Sequence, residues 1–297
     1  MTYSCIHTHS TFCDGKDDIE TMCRAAYAKN FESIGFSSHA PAAKKLGFAT
    51  DWHLKEERLG EYIEAVRAAR KRWEGKLAVY LGLEADFVAG RCGPACADVR
   101  NLPLDYLIGA VHYVCSPEGS LMAVDNFDDE FEREFKALFN NDGKALYRAY
   151  YGACREMLRG GGFDVLAHPD LVKKNNRRFK FFSPDEEDYQ ACIRETVDAI
   201  ARAAESAPAS RPLIVEVNTG GMIRGRTADA YPSRDILRLL RARNIPVTIN
   251  ADAHAASHLG GFYGEGIKDL LEAGYTEILL LDGVEGGKPR WRRESIV

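Results

Sequence analysis

Ile6-His7-Thr8-His9-Ser10 closes the first apolar stretch of the chain and places two imidazoles at the end of a predicted β-strand, Tyr3–His7. Residues two apart on extended backbone point to the same side, so His7 and His9 are expected to share one face. Neutral imidazole is a ligand that suits zinc, manganese and iron. The segment therefore predicts a pair of metal ligands at the end of a strand.

The same arrangement recurs along the chain. Further strands are predicted over Ser33–Ser37, Leu77–Leu83, Tyr106–Val111, Asp164–Ala167, Leu213–Val217, Pro246–Asn250 and Glu277–Leu281. Most of these ends carry or are soon followed by a ligand-type side chain, namely His39, Glu84, His112, His168, Asp252 or His254, with His258 one helical turn further on.

Helical patterns lie between the strands. The apolar stripe from Leu59 to Trp73 is one, and Ser183-Pro184-Asp185-Glu186 is expected to open another with Ser183 as its N-cap.

Alternating strands and helices favour parallel pairing with right-handed crossovers, hence one α/β barrel over residues 1–297. Residues 116–142 are the exception, because acids and regularly spaced phenylalanines there predict an inserted helix or lid. The ends of parallel barrel strands converge on one face, where active sites lie. The ligand-type side chains are therefore expected to meet at the carboxyl ends of the strands.

Nine ligand-type residues would meet at that face, counting Asp14 of Phe12-Cys13-Asp14-Gly15, although an acid before glycine is also a common turn. One zinc site uses only three or four protein ligands. Crowded carboxylates and imidazoles are costly to bury unless a cation neutralises them. The pattern predicts two or three metal ions, with Glu84 as a plausible bridge.

Composition narrows the class of protein. The 297 residues carry a formal net charge of −5, which argues against a surface that coats nucleic acid. We expect no secretory signal at the amino terminus, and no apolar run approaches the ~20 residues that cross a bilayer. The eight cysteines, including Cys92 and Cys96, are expected to be free thiols in a reducing cytoplasm.

The motifs resemble the polymerase-and-histidinol-phosphatase (PHP) superfamily from residue 5 to about residue 266. The resemblance is carried in order by His7-Thr8-His9-Ser10, Phe12-Cys13-Asp14-Gly15, Gly35-Phe36-Ser37-Ser38-His39-Ala40-Pro41, Gly82-Leu83-Glu84, Gly109-Ala110-Val111-His112 and Asp252-Ala253-His254. It implies a distorted (β/α)7 barrel, similar to a TIM barrel, with three divalent metal ions (zinc, manganese or iron). Some members carry histidine at the position of Asp14.

The resemblance also implies how the ligands are shared. One metal would be held by His7, His9, Glu84 and Asp252. Glu84 would bridge to a second metal, which is also held by His112 and His254. The third would be held by Asp14, His39 and His168.

Within the superfamily the chain looks most like the monofunctional histidinol-phosphate phosphatases. The segments that support this are Trp52–Arg58, His168-Pro169-Asp170, Glu216–Gly221, Arg224 and Tyr231-Pro232-Ser233. The implied reaction is hydrolysis of L-histidinol phosphate, a step of histidine biosynthesis, by a hydroxide that bridges two metals. The implied partner is a small phosphorylated amino alcohol, without nucleic acid or membrane, and the oligomeric state stays open.

Residues outside the metal-ligand set are candidates for binding substrate and for proton transfer. Arg224 is the first candidate for binding phosphate, because guanidinium matches phosphate with two hydrogen bonds, and Lys173 is the second. His53 and His258 are candidates for substrate contact or for proton delivery to the leaving alcohol. Glu216 could meet a substrate ammonium group or be structural.

Three alternatives remain open from the sequence alone. A nucleotide phosphoesterase would keep the chemistry and change the substrate. An amidohydrolase-like enzyme would normally need a lysine at a strand end, where this chain has Glu84. A degenerate metal-binding module would be expected to lack ligands, and none of the expected ligands is missing here.

Overall fold

The computed structural model describes residues 2–48 and 50–297, in which strands and helices alternate for most of the length. The strands are β1 (Tyr3–Cys5), β2 (Phe31–Phe36), β3 (Ala78–Leu81), β4 (Glu84–Asp86), β5 (Ile108–Ala110), β6 (Tyr113–Cys115), β7 (Leu121–Ala123), β8 (Val165–Leu166), β9 (Ile214–Asn218), β10 (Val247–Asn250), β11 (Glu277–Glu285) and β12 (Lys288–Ser295). The helices are α1 (Ile19–Ala28), α2 (Ala43–Leu46), α3 (Leu59–Trp73), α4 (Ala97–Arg100), α5 (Asp128–Phe139), α6 (Gly143–Gly160), α7 (Asn176–Phe179), α8 (Glu187–Ser206), α9 (Gly220–Ile223), α10 (Arg234–Ala242) and α11 (Tyr263–Glu272). Short 3₁₀ turns cover Glu56–Arg58, Leu171–Lys173 and Ala256–His258.

The barrel wall is built from parallel strands in two sheets. One sheet has the order β1-β2-β3, and the other has the order β10-β9-β8-β5-β4. β3 and β4 are successive stretches of one bent strand, the first paired with β2 and the second with β5. Parallel bridges from Thr8 to Ala253 and from His39 to Glu84 join the two sheets. The predicted α/β barrel is therefore confirmed.

Tyr106 occupies the barrel interior and explains two glycines in the wall. A Cβ atom at Gly82 would lie 2.4 Å from Cζ of Tyr106, and one at Gly35 would lie 2.5 Å from its hydroxyl oxygen. Around the ring pack Ile6, Tyr80, Ile108, Ala110, Val165, Ala167 and Ile214. Because side chains fill the interior, ligands can be held only beyond the strand ends.

The predicted strand Glu277–Leu281 does not join the barrel wall, which corrects the sequence-based assignment. It forms the first part of β11, which pairs antiparallel with β12 through a turn at Gly286 and Gly287, where φ is 57° and 73°. Leu279 and Trp291 of this hairpin line a cavity together with Pro212 and Pro246, which lie just before β9 and β10. The hairpin therefore lies at the amino ends of the strands, opposite the ligand-bearing ends.

Residues 116–142 contain a helix, as predicted, and also part of a hairpin that the prediction omits. β6 and β7 pair antiparallel ahead of α5. α5 buries Phe131, Phe135 and Phe139, whereas Phe127 is 75% exposed. That this segment acts as a lid stays a prediction.

One predicted helix start is wrong. α8 begins at Glu187, four residues after Ser183. The N–H of Ser183 donates to Oε1 of Glu186 (3.0 Å), and the N–H of Asp185 donates to Oγ of Ser183 (3.3 Å), so these residues form a turn ahead of the helix. The apolar stripe of α3 is buried as predicted, at Tyr62, Ile63, Val66 and Ala69.

All eight cysteines are free, in agreement with the prediction. Among the described helices, none combines the length and apolar character that crossing a membrane requires.

Candidate metal centre

Glu84 lies at the middle of a group of imidazoles at the carboxyl ends of the strands. Its Oε2 is 3.1 Å from Nδ1 of His39, 3.3 Å from Nε2 of His7 and 3.7 Å from Nε2 of His9. Its Oε1 is 3.0 Å from Nε2 of His168 and 3.7 Å from Nε2 of His112. Both oxygens of one buried carboxylate thus face imidazole nitrogens, and Glu84 is 1% exposed.

Several of these atoms are buried without a hydrogen-bond partner among the described residues. They are Nε2 of His7, Nε2 of His9, Nδ1 of His39 and Oε2 of Glu84. Leaving one buried polar atom unpaired costs roughly 1–3 kcal/mol, and here four converge on one region. All four are lone-pair donors of the kind that bind zinc, manganese or iron. The donor set therefore fits divalent metal ions.

Asp252 and Asp14 extend the cluster on the side of β1 and β10. Oδ1 of Asp252 is 3.2 Å from Nε2 of His9, and Oδ2 of Asp14 is 3.0 Å from Nε2 of His254. Ligand-type atoms fall into overlapping groups in which all atoms lie within 4.8 Å of one another: His7, His9 and Asp252; His7, Glu84 and His168; His9, Asp14, His39 and His254; and His39, Asp86 and His112.

This grouping exchanges two members of the expected sets. His254, expected beside His112, lies with Asp14 and His39, while His168, expected beside Asp14, lies with Glu84. The strand order gives the reason. β10 meets β1, so His254 approaches the residues that follow β1, whereas β8 is the neighbour of β5, so His168 approaches His112.

Burial and neighbouring charges shift the pKa values of the cluster residues in both directions. Burial alone would raise the pKa of Glu84, but His7, His39 and His112 hold that pKa well below its ordinary value. Burial, aided by His254 and His39, lowers the pKa of His9 to about 3, so its imidazole is neutral at pH 7. For His7 and His112, burial alone would lower the pKa, but Glu216 and Glu84 raise that of His7, and Asp86 and Glu84 raise that of His112 to about 10. A metal ion that binds these two rings must therefore displace a proton from each.

Two buried carboxylates hold the outer nitrogens of cluster histidines. Oε1 of Glu216 is 2.7 Å from Nδ1 of His7, and Oδ1 of Asp86 is 2.6 Å from Nδ1 of His112. Such contacts fix the tautomer and leave Nε2 of each ring facing the cluster. The sequence patterns do not identify the role of Asp86, although Glu84 and Asp86 are two apart on one strand, the same spacing as His7 and His9.

For Glu216, the contacts favour the second of the two predicted roles, the structural one. Its side chain is fully buried and accepts hydrogen bonds from Nδ2 of Asn218 and Nδ2 of Asn250, both at 2.9 Å, in addition to its contact with His7. The main-chain N–H of His168 also points at it, at 3.3 Å. Glu216 therefore stabilises the orientation of His7. Both of its oxygens are already engaged, so neither is free for a substrate ammonium group.

Arg224 lies at the rim of the cluster, as its candidate role requires. Its Nη2 donates to Oδ2 of Asp252 (2.9 Å), its Nη1 lies 3.2 Å from Nδ1 of His254, and its side chain is 30% exposed. A Cβ atom at Gly220 would lie 2.9 Å from both Nη2 of Arg224 and Oδ2 of Asp252, so this pair requires glycine at that position.

Lys173 is not available to a substrate phosphate, which corrects the second phosphate candidate. Its ammonium group contacts Oδ2 of Asp170 (3.0 Å) and Oδ2 of Asp229 (3.1 Å) and donates to the carbonyl of Ala230 (2.7 Å). The next residue, Lys174, instead lies beside Asp125, with 3.6 Å between Nζ and Oδ2. Burial lowers the pKa of Lys174, and the positive charge of Arg224 lowers it further. The negative charge of Asp125 acts in the opposite direction.

The two remaining histidine candidates differ in their surroundings. His53 is 5% exposed and bonded on both nitrogens, to Asp86 and to Thr50, so it is not free for substrate contact. His258 is half-buried, and among the described residues its Nδ1 has no hydrogen-bond partner. Burial lowers its pKa, and the charges of Arg224 and His254 lower it further.

Backbone conformation is strained at two ligand-type residues. φ is 24° at His168 and 48° at Asp252, in the region that non-glycine residues rarely adopt. Each such residue costs roughly 1–3 kcal/mol, and strain of this kind is concentrated at functional sites. Both side chains face the cluster, His168 toward Glu84 and Asp252 toward His9.

Fold and site together define the class: an α/β barrel with a cluster of metal-ligand side chains at the carboxyl ends of its strands. The chain belongs to the PHP domain family, whose model matches residues 6–219.

Similar proteins support this assignment over the length of the chain. A Deinococcus radiodurans protein named "Probable histidinol-phosphatase" is 30% identical over 270 residues, which cover 90% of this chain and 92% of that protein. The "Histidinol-phosphatase" of Bacillus subtilis is 26% identical over 270 residues, which cover 86% of this chain and 95% of that protein. A crystal structure of histidinol phosphate phosphatase from Lactococcus lactis, complexed with zinc, L-histidinol and phosphate, has a TM-score of 0.69 at 19% identity, covering 96% of this chain and 98% of that one.

Proposed function

We propose that this protein is a metal-dependent phosphomonoesterase that hydrolyses L-histidinol phosphate to L-histidinol and phosphate. The observation that carries the proposal is the convergence of unpaired imidazole and carboxylate atoms around Glu84, next to the guanidinium of Arg224. The names of the two full-length relatives, from Deinococcus radiodurans and Bacillus subtilis, supply the substrate.

The proposed cofactors are three divalent metal ions, drawn from zinc, manganese and iron. The proposed ligands are His7, His9, Asp14, His39, Glu84, His112, His168, Asp252 and His254, and the geometry favours His168 near Glu84 and His254 near Asp14. When bound, such ions polarise phosphoryl oxygens and activate water for attack at neutral pH. Glu216 and Asp86 orient the imidazoles of His7 and His112 for this purpose.

The side chains at the rim bind and orient the substrate. Arg224 presents a planar pair of N–H donors that matches two phosphate oxygens. Lys174 lies on the same side, but its ammonium group is already paired with Asp125, so Arg224 remains the first candidate for phosphate. His258, a half-buried histidine outside the proposed ligand set, remains the candidate for giving a proton to the leaving alcohol.

Asp125 is our candidate for the ammonium group of the substrate. The N–H of Val124 donates to the carbonyl of His112 (2.8 Å), which brings Asp125 to the edge of the cluster, and its side chain is 31% exposed. Burial alone would raise the pKa of Asp125, but Lys174, His112 and His39 lower it, so the group is an anion at neutral pH. Lys174 lies 3.6 Å from one of its oxygens, but the side chain of Asp125 is 31% exposed, whereas Glu216 is fully buried.

Replacing Asp125 by Asn is expected to raise KM for L-histidinol phosphate about tenfold, which corresponds to ~1.4 kcal/mol, because an ion pair with the substrate ammonium is lost. Hydrolysis of p-nitrophenyl phosphate, which has no ammonium group, is expected to change little. Asp129→Asn, at an exposed position of α5, is the matched control. Equal losses on both esters would show that Asp125 supports the cluster instead.

Steady-state assays test the proposed function directly. We expect kcat/KM for L-histidinol phosphate to exceed that for nucleoside monophosphates by orders of magnitude, activity to disappear after chelation, and Mn²⁺ or Zn²⁺ to restore it. If kcat/KM were higher for nucleotides, the protein would be a phosphoesterase with the same chemistry that acts on nucleotides. Tight metal binding without turnover of any phosphoester would overturn the proposal.

A further inference from the structure

The segment from Thr50 to Leu54 is tied to the candidate metal centre at two points. The N–H of Leu54 donates to the carbonyl of His39 (3.0 Å), and Nε2 of His53 lies 2.7 Å from Oδ2 of Asp86. His39 is a proposed ligand, and Asp86 contacts another. One short loop thus contacts the proposed ligand His39 directly and the proposed ligand His112 through Asp86. These two ligands follow different strands.

Asp86 is shared between two imidazoles, one on each oxygen. Its Oδ1 faces Nδ1 of His112 at 2.6 Å while Oδ2 faces Nε2 of His53. An ionised carboxylate only accepts hydrogen bonds, so both ring nitrogens must carry a proton.

These two protons fix the rest of the chain of hydrogen bonds. In the neutral form of His53, Nδ1 is then an acceptor for the hydroxyl of Thr50. In the neutral form of His112, which is the form that can coordinate a metal, Nε2 is a bare lone pair that faces Glu84. With both rings neutral, the contacts from Thr50 to His112 have one consistent set of proton positions.

Packing holds this arrangement in place. His53 is 5% exposed and Asp86 is 3% exposed. The ring of His53 stacks on Tyr113 with 6.1 Å between centroids and 13° between planes, and Trp52 packs against the same tyrosine at 5.8 Å. If His53 were removed, one oxygen of a buried carboxylate would lose its partner, and Asp86 could then rotate away from His112.

We infer that His53 is a positioning residue, which acts through Asp86 to hold His112 in the orientation that binds metal. This role replaces the substrate contact that the sequence indicated, and it rests on the proposed function because it takes His112 as a ligand. It predicts that His53 governs the affinity of one metal site rather than the stability of the metal-free barrel.

The test compares three variants of the full chain by equilibrium dialysis against graded chelator, with Mn²⁺ or Zn²⁺ counted per chain. His53→Ala is expected to weaken retention of one metal equivalent about tenfold, within the range that contacts behind a ligand usually contribute. His53→Gln keeps an N–H donor for Asp86 and is expected to remain near wild type. Lys44→Ala, whose side chain is 81% exposed on the same connection, is the control and is expected to change nothing.

Thermal unfolding of the metal-free proteins separates this role from a general structural one. The inference requires a similar Tm for metal-free wild type and metal-free His53→Ala. It is overturned if His53→Ala retains metal like wild type, or if both His53 variants lose all metal together with a lowered metal-free Tm. Wild-type protein that binds no divalent metal would overturn the proposed function itself, which is a separate outcome of the same experiment.

Discussion

Glu84→Gln is expected to lower kcat/KM for L-histidinol phosphate by roughly a thousandfold, or ~4 kcal/mol, and to reduce the metal content of the purified protein. Glu84 presents one oxygen to His7, His9 and His39 and the other to His168 and His112. Glutamine has the same shape, but it lacks the negative charge, and its amide nitrogen has no lone pair to offer a cation. A single substitution therefore removes the group that the imidazoles share.

Metal analysis by mass spectrometry, alongside kinetics, distinguishes this effect from misfolding. Glu64→Gln is the matched control, because Glu64 is an exposed residue of α3 whose side chain is 72% accessible and whose ion pair with Arg67 contributes little. The metal-free Glu84→Gln protein is expected to fold, since the amide still fits among the buried rings. Wild-type activity with a full complement of metal would contradict the central place of Glu84.

The sequence predicts the strand ends well because a buried parallel strand has a simple signature. His7, His39, His112 and His168 each follow a short apolar run, and the structure places all of them beside Glu84. Convergence at one end of a barrel follows from parallel pairing alone. The set of candidate ligands could thus be named without coordinates.

What the sequence does not specify is which ends are neighbours around the barrel. His168 and His254 exchange places relative to the expectation because lateral order depends on hydrogen bonding between strands, here β8 beside β5 and β10 beside β1. The β11–β12 hairpin was assigned to the wall for a related reason. An apolar run such as Glu277–Leu281 looks the same whether it pairs in parallel or antiparallel, and only the two glycines at its turn signal a hairpin.

Charged side chains near the rim are the hardest to assign from sequence. Lys173 and Lys174 are adjacent, yet the first is neutralised by Asp170 and Asp229, while the second faces Asp125 at the edge of the cluster. Asp170 is a local partner of Lys173. By contrast, Asp229 lies 56 residues from Lys173 and Asp125 lies 49 residues from Lys174, so no local pattern encodes these two pairs. The same holds for Glu216, whose role behind His7 depends on its neighbours Asn218 and Asn250.

Arg224 illustrates how the fold prepares a cation for phosphate. Gly220 leaves room for the guanidinium to lie against Asp252, and its Nη1 donates to the carbonyl of Asp252 at 3.1 Å. The pKa of Arg224 is raised, because Asp252 outweighs the opposing effect of burial, so the charge is permanent. These contacts hold the side chain in one place before substrate arrives, which reduces the entropy that binding would otherwise lose.

Arg224→Ala is accordingly expected to lower kcat/KM for L-histidinol phosphate roughly several-hundredfold, because two charge-assisted hydrogen bonds to the phosphoryl group are lost. Arg224→Lys keeps the charge without the planar pair of donors and is expected to recover part of the loss. Arg238→Ala, at an exposed position of α10, is the control. Metal content decides the interpretation: if Arg224→Ala retains its metal, the arginine acts on phosphate, whereas loss of metal in step with activity would mean that it serves to order Asp252.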